Sequence, residues 1–184
     1  MIDIEKLKEE LRNLPEGMIV LLETSADRSF EISLASVSVM TNKNDNGIIV
    51  SASRPYLNLV NMYQNNDIDT GKIFVLDCIS KSQNAEVEAE NVRYVDNVSA
   101  LTNISLALND CIQTIDGKKF IFIDSISTML IHNKPYVFAR FMHSILTKMR
   151  LNGIGGILIF LENKSNREVR AEIAQLCDKV IKIE

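Results

Sequence analysis

Six short apolar segments recur along the chain, and they constrain its fold more than any other feature. Most of the gaps between them carry apolar residues at the three- and four-residue spacing of a helix. Strands that alternate with helices predict an α/β fold of three layers, in which helices cover both faces of a mostly parallel β-sheet. A short additional strand is predicted at Val92–Val95. The six main predicted strands are Met18–Leu22, Ile48–Ser51, Ile73–Leu76, Lys119–Ile123, Gly156–Leu161 and Lys179–Ile183.

An amphipathic helix is predicted within residues 1–14, where Ile4, Leu7, Leu11 and Leu14 form one apolar stripe. The sequence leaves open whether this stripe packs on its own domain or docks onto another subunit. The last predicted helix is preceded by a capping box that begins at Ser165 and ends at Glu168. The other helical stripes are Phe30, Leu34, Val37 and Met40; Leu101, Ile104, Leu108, Cys111 and Ile115; Val137, Phe141, Ile145 and Met149; and Val169, Ile173 and Leu176.

Length, charge and cysteine usage bound the class of protein. A chain of 184 residues fits a single domain spanning residues 1–184, and its net charge of −4 argues against a broad surface for nucleic acid. No apolar run reaches the length of a membrane span, and the N-terminus lacks a signal-peptide pattern. The three cysteines, Cys78, Cys111 and Cys177, lie far apart in apolar segments and are expected to be reduced thiols. These features predict a cytoplasmic protein with no membrane partner.

The first strand, a polar turn and a helix form the frame in which a phosphate-binding loop is normally found. Such a loop needs glycines, which let backbone N–H groups face the phosphate, and a lysine that neutralises its charge. No glycine or lysine occurs from Met18 to Asn42. Phe30 takes the place of the lysine and Glu31 that of the Ser/Thr, where a carboxylate would repel phosphate. We call the residues left in this frame the vestigial nucleotide site: Thr24, Arg28, Ser29, Phe30 and Glu31, together with Asp124 and Ser125.

Four acids follow the predicted strands: Glu23, Asp77, Asp124 and Glu162. In a parallel sheet these positions share the carboxyl edge, where ligands usually bind. Asp is also a favoured helix cap, so each acid has a structural explanation. The alternative, functional explanation is a magnesium site, because Mg²⁺ prefers oxygen ligands. Asp124 is the strongest metal candidate, since it follows a fully apolar strand.

Two further patterns are interpreted as structural. The pair Gly155-Gly156 is expected to form a tight turn before a strand. Arg170 is expected to form surface ion pairs with acids of its own helix.

The segment Lys119–Ser127 resembles the Walker B strand of RecA-like ATPases, most closely that of KaiC-like proteins, in which an Asp-Ser pair ends the strand. The resemblance extends over most of the chain from Pro15 onward. It includes the lead-in Pro15-Glu16-Gly17, the second strand Ile49-Val50-Ser51 and the segment Ser125–Leu130. The chain is identified as a degenerate, archaeal-type member of the RecA/KaiC-like P-loop ATPase superfamily. The resemblance implies the P-loop NTPase fold and a family that couples ATP to oligomer assembly and signalling.

Two functional elements of that superfamily are absent from the sequence. The phosphate loop is missing, and Ala52-Ser53-Arg54-Pro55 replaces the catalytic glutamates that follow the second strand. ATP hydrolysis needs a group that orients the attacking water and cations that face the phosphates. We therefore predict a pseudo-ATPase without catalytic residues or a cofactor.

The predicted role is binding to a protein partner, either itself or an active KaiC-like relative, in regulation or signalling. An atypical nucleotide binder or slow ATPase, with weak Mg-ATP binding at Asp124, is the first alternative. A recombination accessory that touches DNA is the second, and the acidic balance counts against it. A receiver-like domain with Asp77 as phosphate acceptor is a third, although the paired acids of such domains are missing.

Overall fold

The computed structural model describes residues 3–43, 45–162 and 166–183, and a seven-stranded sheet forms its centre. The strands are β1 (Ile19–Thr24), β2 (Asn46–Ser51), β3 (Ile73–Asp77), β4 (Val92–Tyr94), β5 (Lys119–Asp124), β6 (Gly155–Leu161) and β7 (Lys179–Ile183). They lie in the order β4-β3-β2-β5-β6-β1-β7, and all neighbours are parallel. The predicted parallel α/β sheet is confirmed, and every predicted strand is present with its ends shifted by at most two residues.

Helices cover both faces of this sheet and enclose two apolar cores. On one face α1 (Ile4–Arg12), α2 (Ser29–Asn42) and α3 (Tyr56–Gln64) pack against alternate strand residues such as Val20 and Leu22. On the other face the intervening residues, such as Ile19 and Leu21, contact the remaining helices. These are α4 (Leu101–Thr114), α5 (Ile126–Ile131), α6 (Pro135–Leu151) and α7 (Arg167–Leu176).

The helices α3 and α5 were not predicted, because neither has a clear helical repeat of apolar residues. In α3 only Leu59 and Tyr63 are buried, and asparagines interrupt the apolar pattern. The six residues of α5 are too few to establish a period. In α6 the predicted stripe is partly wrong, because Val137 is exposed and Phe138 lies in the core instead.

The prediction of a tight turn at Gly155-Gly156 is wrong, because both residues already belong to β6. The turn lies at Gly153, whose φ is +64°. A Cβ atom on Gly155 would lie 2.7 Å from the carbonyl oxygen of Met18, and one on Gly156 would lie 2.5 Å from that of Ile121. These glycines therefore allow β6 to fit between β5 and β1.

The amphipathic stripe of α1 packs on its own domain, which answers the question that the sequence left open. Asp3 caps the helix by accepting a hydrogen bond of 2.8 Å from the backbone N–H of Lys6. Leu7 and Leu11 are fully buried in the core that α2 also enters. The stripe is thus part of the core, and it is not available for docking while α1 stays folded back.

The start of α7 differs from the predicted capping box. Ser165 lies outside the described residues, and Asn166 precedes the helix in a left-handed conformation without a side-chain capping bond. Within the described ranges, no helix combines the length and apolar character that crossing a membrane requires.

Replacing Leu11 by Ala should lower the free energy of unfolding by about 2–5 kcal/mol, because a fully buried leucine would leave a cavity between α1 and α2. The matched control is Leu106→Ala on α4, where the side chain is 64% exposed and the change should stay within about 0.5 kcal/mol. Urea unfolding followed by circular dichroism measures both. Equal stability of the two variants would mean that α1 does not remain packed on the domain in solution.

Candidate functional site

The sheet order brings the ends of β1, β6, β5 and β2 together at one carboxyl edge. Ser51 at the end of β2 is paired in register with Asp124 at the end of β5. The N–H of Ala52 then donates a hydrogen bond of 2.9 Å to the carbonyl oxygen of Asp124, which extends the ladder by one residue. The residues that follow β2 are therefore held beside the Asp124 side chain.

The loop between β1 and α2 consists of the four residues Ser25–Arg28. Its geometry is fixed locally, because the Ser29 hydroxyl donates a hydrogen bond of 2.8 Å to the carbonyl oxygen of Ala26. The Arg28 guanidinium lies 3.8 Å from the Glu31 carboxylate, one helical turn away. Arg28, which precedes α2, thus pairs with a side chain in the first turn of that helix.

A cavity of about 250 Å³ opens at this edge, and we call it the carboxyl-edge cavity. Four of the seven residues of the vestigial nucleotide site line it, whereas Thr24, Arg28 and Glu31 do not. Thr24 is fully buried, and its hydroxyl has no hydrogen-bond partner among the described residues. The complete lining is Ser29, Phe30, Ser33, Ser53, Arg54, Met62, Asp124, Ser125, Thr128 and Leu161.

Asp124 presents the carboxylate of this cavity. Its Oδ2 accepts one long hydrogen bond, of 3.4 Å, from the Ser33 hydroxyl, and it forms no ion pair within the described part of the chain. Burial raises the pKa of Asp124, and the charge of Arg54 and the Ser33 hydrogen bond oppose that rise. The neighbouring Tyr63 is buried, and desolvation together with the Asp124 charge raises the pKa of its phenol. A poorly partnered carboxylate therefore faces a confined space.

Arg54 is the residue of this site that the sequence did not reveal. Its guanidinium lies over the ring of Phe30, 5.2 Å from the centroid, and donates a hydrogen bond of 3.4 Å to Asn58. Phe30 itself is 44% exposed, although its helical stripe predicted a core position. From the sequence, the segment after β2 was notable only for lacking a carboxylate. Arg54 could have been identified only from the strand order, because β2 lies beside β5 and so places Arg54 near Asp124.

The other three acids at this edge are held by structural bonds. Glu23 is buried and accepts hydrogen bonds from Arg170 of α7, so the predicted pairing of Arg170 within its own helix is wrong. Asp77 is fully buried and accepts hydrogen bonds from the backbone N–H groups of Tyr56, Ile79 and Ser80. Glu162 lies 3.0 Å from Lys182. Asp77 is thus held by backbone donors on both sides of β3, and its complete burial argues against the receiver-like alternative, which needs an accessible carboxylate.

Asp124 is different, because it is not a helix cap. Ser125 caps α5 by accepting a hydrogen bond of 3.2 Å from the N–H of Thr128. Ser127 both donates to and accepts from the backbone of Leu161, which ties α5 to the end of β6. The capping explanation for Asp124 is therefore wrong, and its carboxylate is left for another use.

A larger cavity, of about 590 Å³, lies at the opposite, amino edge of the sheet. It is lined by Lys43 and Lys119, whose ammonium groups donate to the carbonyl oxygens of Leu14 and Gly117 at 3.2 and 3.1 Å. Lys118 pairs with Glu16. Leu14 and Gly117 lie in the turns that follow α1 and α4, so these lysines complete the hydrogen bonding of local turns. This cavity is larger than the carboxyl-edge cavity, but its lysines are engaged in local structural bonds.

The carboxyl-edge cavity lacks the groups that hold phosphate in a phosphate-binding loop. The expected positions of the lysine and hydroxyl carry an exposed aromatic ring, Phe30, and a carboxylate, Glu31. The described residues also contain no group of three His, Cys, Asp or Glu side chains that could hold a metal ion.

Comparison with solved structures places this fold among KaiC-like proteins. A KaiC-like protein from the hyperthermophilic archaeon Pyrococcus horikoshii OT3 superposes with a TM-score of 0.65 at 16% identity, over 93% of this chain and 75% of that one. An uncharacterised protein from Pyrococcus horikoshii, solved in complex with an unknown peptide, gives a TM-score of 0.75 at 12% identity, over 98% of this chain and 82% of that one. No curated protein matches the sequence.

The family described as "ATPase: KaiC" matches residues 4–184. The chain belongs to this KaiC ATPase family, and the RecA/KaiC-like resemblance seen in the sequence is confirmed.

Replacing Asp124 by Asn should increase the free energy of unfolding at neutral pH. Burial raises the pKa of the Asp124 carboxyl group above its ordinary value of 3.8. A group with a raised folded-state pKa binds its proton more tightly in the native state, so its ionisation destabilises the fold as the pH rises. The advantage of the variant should therefore shrink as the pH falls toward 3.8 and below.

Urea unfolding at neutral pH and at the lowest pH that preserves the fold measures this effect. Glu162→Gln, at an exposed acid of the same edge, is the control. A stability difference between Asp124→Asn and wild type that does not change with pH would contradict the prediction.

Proposed function

We propose that this protein is a non-catalytic KaiC-family member that binds a protein partner through the carboxyl edge of its sheet. The partner is a second KaiC-like chain, either another copy or an active relative, and the interaction serves regulation or signalling. The observation that carries the proposal is the substitution of an exposed phenylalanine for the lysine of the phosphate loop. An aromatic ring at this edge disfavours a phosphate and favours a protein surface, because aromatic residues are enriched at interfaces.

The distribution of exposed apolar side chains supports the same edge. Phe30 and Leu57 are both exposed and lie in the first turns of α2 and α3, which follow β1 and β2 at the carboxyl edge. Phe30 also lines the carboxyl-edge cavity. Exposed large apolar side chains often mark interaction sites.

The relative that was solved with a bound peptide supports a protein ligand for this fold. Its bound peptide belongs to that protein, and its relevance to this chain is part of the proposal.

The rival function is that of an atypical nucleotide binder or slow ATPase in which Asp124 holds Mg²⁺. The poorly partnered Asp124 carboxylate is the observation that favours it. Mg²⁺ in nucleotide sites is bound by one or two carboxylates plus the substrate phosphates. The rival function therefore also requires groups that bind the phosphates. The loop supplies none from its own backbone glycines or a lysine.

Titration with Mg-ATP separates the two functions. We expect calorimetry to show no saturable heat up to millimolar nucleotide, because Phe30 and Glu31 take the places that neutralise phosphate in an active loop. Asp124→Asn is the control for any residual heat. Saturable binding in the low micromolar range that is lost in Asp124→Asn would refute the non-catalytic proposal and support the rival.

Association of the purified protein, alone and mixed with an active KaiC-like relative, tests the proposed interface. Phe30→Ser and Leu57→Ser should each shift the equilibrium toward the monomer, because they remove apolar area from the docking edge. Leu106→Ser, at an exposed leucine in the middle of α4, should have no effect. Light scattering during size-exclusion chromatography measures the mass of each species. A strict monomer at high concentration, both alone and in the mixture, would argue against this partner.

A further inference from the structure

The carboxyl-edge cavity is rich in hydrogen-bond acceptors, and this property restricts the ligand that it can take. An ionised carboxylate accepts about four hydrogen bonds, and Asp124 receives one from the described residues. The hydroxyl hydrogen of Ser33 is directed to Asp124, that of Ser29 to the carbonyl oxygen of Ala26, and that of Ser53 to the carbonyl oxygen of Asp124. A hydroxyl that has donated its hydrogen keeps lone pairs for a donor. The Asp124 side of the cavity therefore favours a ligand that donates hydrogen bonds.

The chain's own nearby cation does not meet this need. Arg54 stacks on Phe30 and donates to Asn58, and it forms no ion pair with Asp124 within the described residues. Its charge favours the ionised form of Asp124, but among the described residues it donates no hydrogen bond to that carboxylate. Asp124 is half-buried and has one long hydrogen bond, so an incoming cation that donates to it would add a partner.

We propose that the carboxyl-edge cavity binds the side-chain ammonium of a lysine from a protein partner, with Asp124 as its counter-ion. An ammonium group carries three donors and no acceptor, and a flexible apolar stem follows it. The apolar lining by Phe30, Met62 and Leu161 suits such a stem, and about 250 Å³ suits one side chain. The inference rests on the proposed function and specifies the chemistry of the partner at that same edge.

The test follows backbone amides of the ¹⁵N-labelled protein by NMR while Nα-acetyl-lysine-N-methylamide is added at millimolar concentrations. We expect saturable shifts at Ser33, Ser53 and Thr128. The norleucine analogue, which has the same stem without the ammonium, should produce none. Alanine-N-methylamide, which has a free α-amine, should bind more weakly, because its ammonium lacks the stem.

Asp124→Asn should weaken the lysine analogue by at least about tenfold, since a hydrogen bond to a charged group is lost. Ser33→Ala should weaken it less. Glu162→Gln should bind like the wild type, and each variant's melting curve establishes that it is folded. Absence of shifts in the wild type, or shifts that persist in Asp124→Asn, would overturn the inference.

A parallel titration with magnesium chloride distinguishes a surviving metal site. Saturable Mg²⁺ shifts at the same amides, with displacement of the lysine analogue, would overturn the lysine assignment. If the wild type does not bind the lysine analogue but still associates with its protein partner, this inference alone is refuted. Tight Mg-ATP binding would refute the proposed function itself.

Discussion

The site depends on the pairing of β2 with β5. Two strands that are distant in sequence lie side by side in register, so the residues that leave β2 are delivered to the carboxylate that ends β5. A shift of one residue in this register would turn the side chains of β2 to the opposite face. The apolar residues of β2 oppose such a shift, because Ile48 and Val50 pack in one core and Ile49 in the other, and each would have to exchange its core. The core therefore fixes the geometry of the edge.

The electrostatics of the edge differ from those expected of a nucleotide site. Glu23 has acquired Arg170 as a partner, and Asp77 is surrounded by backbone donors. Asp124 alone keeps a carboxylate whose pKa is raised by burial and whose hydrogen-bonding capacity is mostly unused. Buried titratable groups that are incompletely partnered tend to occur at binding sites. The contrast among these acids is more informative than their shared position at the ends of strands.

Much of the fold could be predicted because apolar periodicity reports burial directly. The inner strands β1, β2, β3, β5 and β6 were recognised from short apolar runs, since a parallel sheet buries both faces and leaves a continuous signal. The edge strands β4 and β7 give a weaker signal, because some of their side chains are exposed. Helix α3 was missed because only two of its residues reach the core, and the tight turn at Gly155-Gly156 was misplaced because glycine signals both turns and close strand contacts.

The site was predicted less well. Phe30 could be placed from the strand–turn–helix frame and Asp124 from the apolar strand that precedes it, and both signals are local in sequence. Arg54 could not, because its role depends on which strands are neighbours, and a single sequence does not contain that order. The prediction for Arg170 was wrong for the same reason. A local ion pair along its own helix was expected, but Arg170 contacts Glu23, which lies near the end of a strand that is distant in sequence.

Gly155 and Gly156 at the start of β6 tolerate substitution less well than the loop between β1 and α2. Any side chain at Gly155 or Gly156 would collide with the backbone of a neighbouring strand, so substitutions there disturb the sheet itself. The loop Ser25–Arg28 carries no comparable constraint, because its side chains are exposed or half-buried and its bonds are local. Substitutions that alter the chemistry of this loop are therefore compatible with an intact sheet. New side chains are tolerated more readily in this loop than at the start of β6.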